Sequence, residues 1–140
     1  MIKKFLFSGT GYSVPVSLAI LILRVVFGGM LMTHGWDKLT HFDATAQSFF
    51  AGMGGAPVLA LVVFAEFFCA LGVVVGLLSR LALIPMIINM AVAFTMAHGA
   101  KLVGEGNGEL AFLYLFAFIA LIITGPGKYA IDSFIAQKVK

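Results

Sequence analysis

The sequence predicts an all-α membrane protein, a four-transmembrane-helix bundle with a short interfacial helix between helices one and two. The first observation is composition: 61% of the 140 residues are hydrophobic, 11% are charged and the mean hydropathy is +1.09. These values lie outside the range of soluble globular chains. The second observation is four apolar runs, most of them near the ~20 residues that span a bilayer. A single transmembrane domain over residues 1–140 follows, in contact with lipid.

Four spans follow one another along the chain. We predict them over residues 16–35, 57–78, 81–98 and 109–124. The segment 36–56 places Phe49 and Phe50 among small and polar residues, which indicates a helix lying in the membrane interface. The fourth run is short for a span, so we expect it to thin the bilayer locally or to draw Glu109 toward the headgroups.

The basic residues predict the orientation. Four spans place both termini on one side, which would carry Lys3, Lys4, Arg80, Lys128, Lys138 and Lys140. The opposite side would carry only Lys38 and Lys101 among acidic residues. The positive-inside rule then puts both termini in the cytoplasm. Because the basic residues flank apolar runs, the net charge of +3 indicates topology and not nucleic-acid binding.

Three polar residues fall near the predicted bilayer midplane: Arg24, Glu66 and Asn89, one on each of the first three helices. A charge at that depth costs about 2.5–3.5 kcal/mol on insertion scales, so it requires a partner. We predict a polar clasp in which Arg24 pairs with Glu66 and the Asn89 amide oxygen accepts from the guanidinium. In one interpretation the clasp fixes the helix register, and the known role of buried ion pairs in specifying packing favours this one. In the other, the clasp belongs to a substrate or proton path.

A second polar group lies at the opposite end of the predicted bundle from the termini. Its candidate ligand-binding residues are His34, Trp36, Lys38, His98, Lys101 and Glu109. Histidine titrates near physiological pH, and hydrogen-bond donors beside an apolar bundle suit a quinone or another lipid-soluble ligand. Plain anchoring at the membrane interface is the alternative interpretation. The three histidines lack the spacing of metal-binding motifs, so we predict no metal site.

Three motifs in order resemble a known family. The first helix carries R-x3-G-x6-G-x2-K-L from Arg24 to Leu39, and the second carries A-E-x5-G-x3-G from Ala65 to Gly76. The closing motif is TGPG-x4-D, from Thr124 to Asp132. Together these are similar to the DoxX family of small bacterial four-helix membrane proteins. The resemblance implies a location in the bacterial inner membrane and an association with quinone-linked oxidoreductases, and it implies no defined catalytic motif.

The sequence supports one leading functional hypothesis. We predict a membrane subunit that binds quinone or another lipid-soluble ligand and supports a redox protein partner, with no cofactor of its own. Whether the chain is itself an enzyme stays open. The alternatives are a membrane scaffold or assembly factor without catalysis, or a small-solute transporter. The Gly72 to Gly76 motif suits either packing within the bundle or a homo-oligomer.

Overall fold

The computed structural model describes residues 1–7, 9 and 11–138, and the described residues form helices and connecting turns with no strand. Lys140, which entered the charge count above, lies outside these residues. The helices are α1 (Ile2–Phe7), α2 (Val14–Thr40), α3 (Phe42–Gln47), α4 (Ala56–Val75), α5 (Ser79–Ala97), α6 (Glu109–Thr124) and α7 (Ile131–Lys138), with a 3₁₀ turn at Ala51–Met53 between α3 and α4.

Three of these helices, α2, α4 and α5, are long and apolar enough to cross a membrane. The fourth apolar helix, α6, has 16 residues and is shorter. The prediction of an all-helical membrane protein is therefore confirmed. The first span was predicted to end at residue 35. Helix α2 extends past that point, without a break, through Trp36, Asp37 and Lys38 to Thr40.

Two of the long helices contain a segment of π-helix. In α4 the segment is Phe64–Cys69, which includes Glu66, and in α5 it is Ala93–Ala97, just before His98. A π-turn widens the helix by one residue per turn, and such turns occur frequently at functional sites. Both segments border the cavity described below.

The core lies between α2, α4, α5 and α6. Its buried side chains come from all four helices: Ile20, Leu31, Cys69, Ala70, Val73, Leu83, Met86, Met90, Ala111, Tyr114, Phe118 and Leu121. A second, smaller cluster packs the segment that follows α2 against α4, and consists of Ala46, Phe50, Leu59 and Val63. The short helix expected between the first two spans is therefore present as α3, which packs against α4 through Ala46, and Phe50 just after it is 5% exposed.

Two glycines on α2 set the register of α2 against α4. A Cβ on Gly35 would lie 2.7 Å from the backbone carbon of Glu66 and the backbone nitrogen of Phe67. A Cβ on Gly28 would lie 2.8 Å from a methyl group of Val74. The absence of a side chain therefore lets the two antiparallel helices approach closely, with Gly35 level with Glu66.

Hydrogen bonds bring the beginning and the end of the described chain to the same end of the bundle. The Gly127 amide donates to the Gly9 carbonyl at 3.1 Å, and the Arg80 guanidinium donates to the Phe5 carbonyl. We call this the Arg24 end, after the buried arginine in this half of α2. We call the other end the cavity end.

Candidate functional site

The guanidinium of Arg24 is buried, and each of its three nitrogens donates to a backbone carbonyl. Arg24 is 2% exposed, and its Nε donates to the Val73 carbonyl at 2.8 Å. Nη2 donates to Val74 at 2.9 Å, and Nη1 donates to both Pro126 and Tyr129 at 2.8 Å. Val73 and Val74 close α4, where the helix dipole favours a cation. The guanidinium therefore joins the end of α4 to the turn that follows α6.

A carboxylate completes this group of contacts, which we call the Arg24 cluster (Arg24, Val73, Val74, Gly76, Pro126, Tyr129 and Asp132). Asp132 is 0% exposed and accepts from the backbone amides of Leu78 at 2.7 Å and Ser79 at 2.8 Å. These amides begin α5 and would otherwise be unsatisfied. The Asp132 amide in turn donates to the Gly76 carbonyl at 2.8 Å. The closing motif of the sequence is thereby tied to the second helix.

The predicted ion pair between Arg24 and Glu66 is wrong. Gly35 lies level with Glu66, and Arg24 precedes Gly35 by 11 helical positions, a rise of about 16 Å. The guanidinium therefore reaches residues 73 and 74 of α4 and meets carbonyl groups there. Asn89 does not accept from Arg24 either, since its amide nitrogen donates to Glu66.

Glu66 instead pairs with Lys38, one turn beyond Gly35 on α2. The Lys38 Nζ lies 2.6 Å from Glu66 Oε2, and the Asn89 Nδ2 donates to Oε1 at 3.0 Å. The side chains of Lys38 and Glu66 are 25% and 7% exposed. Both carboxylate oxygens therefore have a partner, while the ammonium retains further donors that face an opening.

That opening is a cavity of about 380 Å³, which we call the Glu66 cavity. Its volume falls in the range of small-molecule sites. The polar residues that line it come from α2, α4, α5, α6 and the loop before α6: His34, Lys38, Glu66, Asn89, His98, Asn107 and Tyr114. The rest of the wall is apolar and includes Phe49, Phe50 and Met53 from the segment between α3 and α4. An apolar wall with a few converging polar groups is the usual composition of a ligand site.

His98 has a defined proton arrangement. Its Nδ1 lies 2.9 Å from the Gly106 carbonyl oxygen, which can only accept. Nδ1 therefore carries the hydrogen, and Nε2 of the neutral ring carries a lone pair that can accept a hydrogen bond or a proton. His34, the other histidine of the cavity, packs edge-on against Tyr114 with ring centroids 6.4 Å apart.

Tyr114 is a residue of the candidate site that was not predicted from the sequence. It is 2% exposed, and its hydroxyl has no hydrogen-bond partner among the described residues. A signal was present, because Tyr114 is the polar side chain inside the otherwise apolar run between Glu109 and Thr124. A buried hydroxyl without a partner is uncommon and requires an explanation.

The cavity brings together three of the six predicted ligand residues, His34, Lys38 and His98. The other three do not line it. Trp36 is 55% exposed and packs on the Phe67 ring, with centroids 5.7 Å apart. Lys101 and Glu109 are exposed around the loop before α6. Ligand binding by any of these residues stays a prediction. Within the described ranges no group of three or more His, Cys, Asp or Glu residues could hold a metal ion.

Fold and site together define a small helical membrane protein with a ligand-sized cavity at one end and a closed hydrogen-bonded cluster at the other. The family model named DoxX matches residues 19–99, and the chain belongs to the DoxX family. The resemblance found in the sequence motifs is thereby confirmed.

Three relatives cover most of the chain. "Inner membrane protein YqjF" of Escherichia coli (strain K12) is 32% identical over 86% of this chain and 95% of its own length. "Putative oxidoreductase CatD" of Bacillus subtilis (strain 168) is 31% identical over 88% of this chain and 91% of its own. An uncharacterized protein of Haemophilus influenzae (strain ATCC 51907 / DSM 11121 / KW20 / Rd) is 30% identical over 79% of this chain and 86% of its own length. No solved structure matches the chain.

Proposed function

We propose that the Glu66 cavity binds the head group of a lipid-soluble quinone, and that the protein serves a redox partner as its quinone-binding membrane subunit. The observation that carries the proposal is the cavity itself, about 380 Å³ of mostly apolar wall with Lys38, His34 and His98 at its polar part. A quinone head group is a flat, apolar ring with two carbonyl oxygens. It therefore needs an apolar wall together with a few hydrogen-bond donors.

The polar residues match both redox forms of such a ligand. The Lys38 ammonium can donate to a quinone carbonyl while it stays paired with Glu66, since it has three hydrogens. The Nε2 lone pair of His98 can accept the proton of a quinol hydroxyl. Oxidation of the quinol to quinone releases two protons and two electrons. The histidines can receive the protons, and we propose that the partner protein accepts the electrons.

The membrane arrangement belongs to the same proposal. At 1.5 Å per residue α6 is about 24 Å long, short of the ~30 Å hydrocarbon core, so we propose that it is a fourth span with local thinning of the bilayer. The lysines of α1 and α7 then join Arg80 and Lys128 on the cytoplasmic side, by the positive-inside rule. The printed name of the Escherichia coli relative supports the inner membrane as the location. That of the Bacillus subtilis relative supports an oxidoreductase role.

The test is quinone content after gentle purification, followed by titration with menadione in lipid nanodiscs. We expect close to one saturable equivalent for the wild-type protein, measured against empty nanodiscs. His34→Ala should weaken menadione binding by about two- to tenfold, the effect of one lost hydrogen bond. His98→Ala should weaken binding of the reduced form, menadiol, by a similar factor, because Nε2 of the neutral His98 ring accepts from a hydroxyl and not from a carbonyl.

The third histidine is the matched control. His41 is exposed, contacts Asp37 at 3.3 Å and does not line the cavity, so His41→Ala should leave quinone binding unchanged. Melting temperatures of all three variants confirm that each is folded. Absence of saturable menadione binding to the folded wild-type protein would refute the proposal.

A further inference from the structure

Tyr114 combines deep burial with an unsatisfied hydroxyl in the wall of the Glu66 cavity. Most buried hydroxyls in proteins have a partner, because leaving one without a hydrogen bond is unfavourable. Nothing in the core requires this oxygen, since a phenylalanine would pack in the same place. The hydroxyl is therefore free for a contact that the described residues do not make.

Three aromatic neighbours fix the position of the Tyr114 ring. It stacks on Phe118 with ring centroids 5.7 Å apart and meets the Phe27 ring edge-on at 5.8 Å. His34 lies edge-on against it at 6.4 Å. The phenolic oxygen lies in the plane of the ring, so a fixed ring also fixes the oxygen. Tyr114 is a pre-positioned hydrogen-bonding group, unlike a surface tyrosine that can turn toward water.

We infer that the Tyr114 hydroxyl is the specificity-determining contact of the cavity, which hydrogen-bonds an oxygen on the ring of the ligand. The inference rests on the proposed function and deepens it, because it names the ligand feature that is selected. A ring that carries a carbonyl oxygen satisfies the hydroxyl and is bound. A ring of the same shape without that oxygen leaves the hydroxyl buried and unsatisfied, so it is rejected.

A matched pair of probes separates shape from hydrogen bonding. Menadione carries two carbonyl oxygens on a methylated two-ring system, and 2-methylnaphthalene has the same rings and methyl group without the oxygens. Binding of both is measured by equilibrium dialysis in nanodiscs, with empty nanodiscs subtracted. We expect the wild-type protein to bind menadione at least about tenfold more tightly than 2-methylnaphthalene.

The variant is Tyr114→Phe, which removes one oxygen and keeps the ring. We expect menadione to bind about two- to tenfold more weakly and 2-methylnaphthalene to bind as well or better. Without ligand, the melting temperature of Tyr114→Phe should equal or exceed that of the wild type, because a buried, unsatisfied group has been removed.

Tyr12→Phe is the matched control, since the Tyr12 hydroxyl donates to the Thr124 carbonyl at 3.0 Å. The same chemical change there should lower the melting temperature and leave both probes unaffected. If Tyr114→Phe lowers the melting temperature as far as Tyr12→Phe, or binds menadione as the wild type does, the inference is overturned while the quinone proposal stands. If the wild-type protein binds neither probe, the proposed function fails and the inference fails with it.

Discussion

The Arg24 cluster and the Glu66 cavity both contain buried charge, yet they differ in how that charge is satisfied. In the cluster, each guanidinium nitrogen of Arg24 donates to a backbone carbonyl, four in all, and both carboxylate oxygens of Asp132 accept from helix-start amides. In the cavity, Lys38 has donors left over and the Tyr114 hydroxyl has no partner. On the proposed function, the difference separates a part of the molecule that holds the fold from a part that binds the ligand.

The same division explains the family motifs. Arg24, Gly76 and Asp132 meet in the Arg24 cluster, where a Cβ on Gly76 would lie 2.5 Å from an Arg24 nitrogen. Gly35 and Lys38 meet Glu66 at the cavity. One motif of the first helix therefore contributes to both regions.

The largest effect is expected at the Arg24 cluster. Arg24→Met removes four hydrogen bonds and leaves buried carbonyls without donors, so we expect the free energy of unfolding to fall by about 4 kcal/mol or more, or folded protein to be lost. Size-exclusion chromatography and thermal unfolding in detergent measure this. The double change Arg24→Glu/Glu66→Arg should recover nothing, since the two residues are not partners. Recovery by the double change would contradict the assignment.

The next largest loss of stability is expected at the Lys38–Glu66 ion pair of the cavity, and it should differ between the two single substitutions. Lys38→Met leaves the Glu66 carboxylate buried with Asn89 alone, whereas Glu66→Gln leaves a lysine that is already 25% exposed. Removing one partner of a buried pair costs about 3–5 kcal/mol, so we expect up to that much for Lys38→Met and clearly less for Glu66→Gln.

The double change Lys38→Met/Glu66→Gln completes a thermodynamic cycle for the pair. It should restore much of the stability lost in Lys38→Met, because no charge is then left unpaired. Thermal unfolding of the four proteins gives the coupling energy. Strictly additive effects of the two changes would show that the pair does not interact.

The smallest effect is expected at the helix contact beneath the cavity. Gly35→Ala places a methyl group against the backbone of α4 and should lower the free energy of unfolding by about 1–3 kcal/mol. Gly29 is the matched control, because a Cβ there has no neighbour within 4 Å. Gly29→Ala should be neutral or stabilising by up to about 1 kcal/mol. Equal melting temperatures for the two variants would contradict the close approach at Gly35.

The sequence predicted the helices well for a physical reason. Long apolar runs bounded by glycine, proline or charge have few alternatives in a membrane, so α4, α5 and α6 lie close to their expected positions. The end of α2 was missed because Trp36, Asp37 and Lys38 were assigned, as polar residues after an apolar run, to the separate interfacial segment 36–56. Trp36 packs on Phe67 and Lys38 pairs with Glu66, two contacts with α4 that no local pattern reveals.

The site was harder to predict than the fold. The sequence required partners for Arg24, Glu66 and Asn89 but assigned Arg24 the wrong ones, because its partner depends on the register between α2 and α4. That register is set by the contact of Gly35 with the backbone of α4, and an error in the end of α2 shifts every depth along it. The backbone carbonyls that satisfy Arg24 carry no side-chain signature, so the sequence alone offered only Glu66, the carboxylate at the same predicted depth.

The central claim is that the Glu66 cavity holds the ligand and the Arg24 cluster does not. Photolabelling in nanodiscs with an azido-quinone, followed by peptide mapping, tests it most directly. We expect saturable label, displaced by excess menadione, on peptides that contain cavity-lining residues such as His34, Ala97 and Leu110. Label that does not saturate, or that falls on lipid-facing residues of the Arg24 end such as Ile123, would contradict the claim.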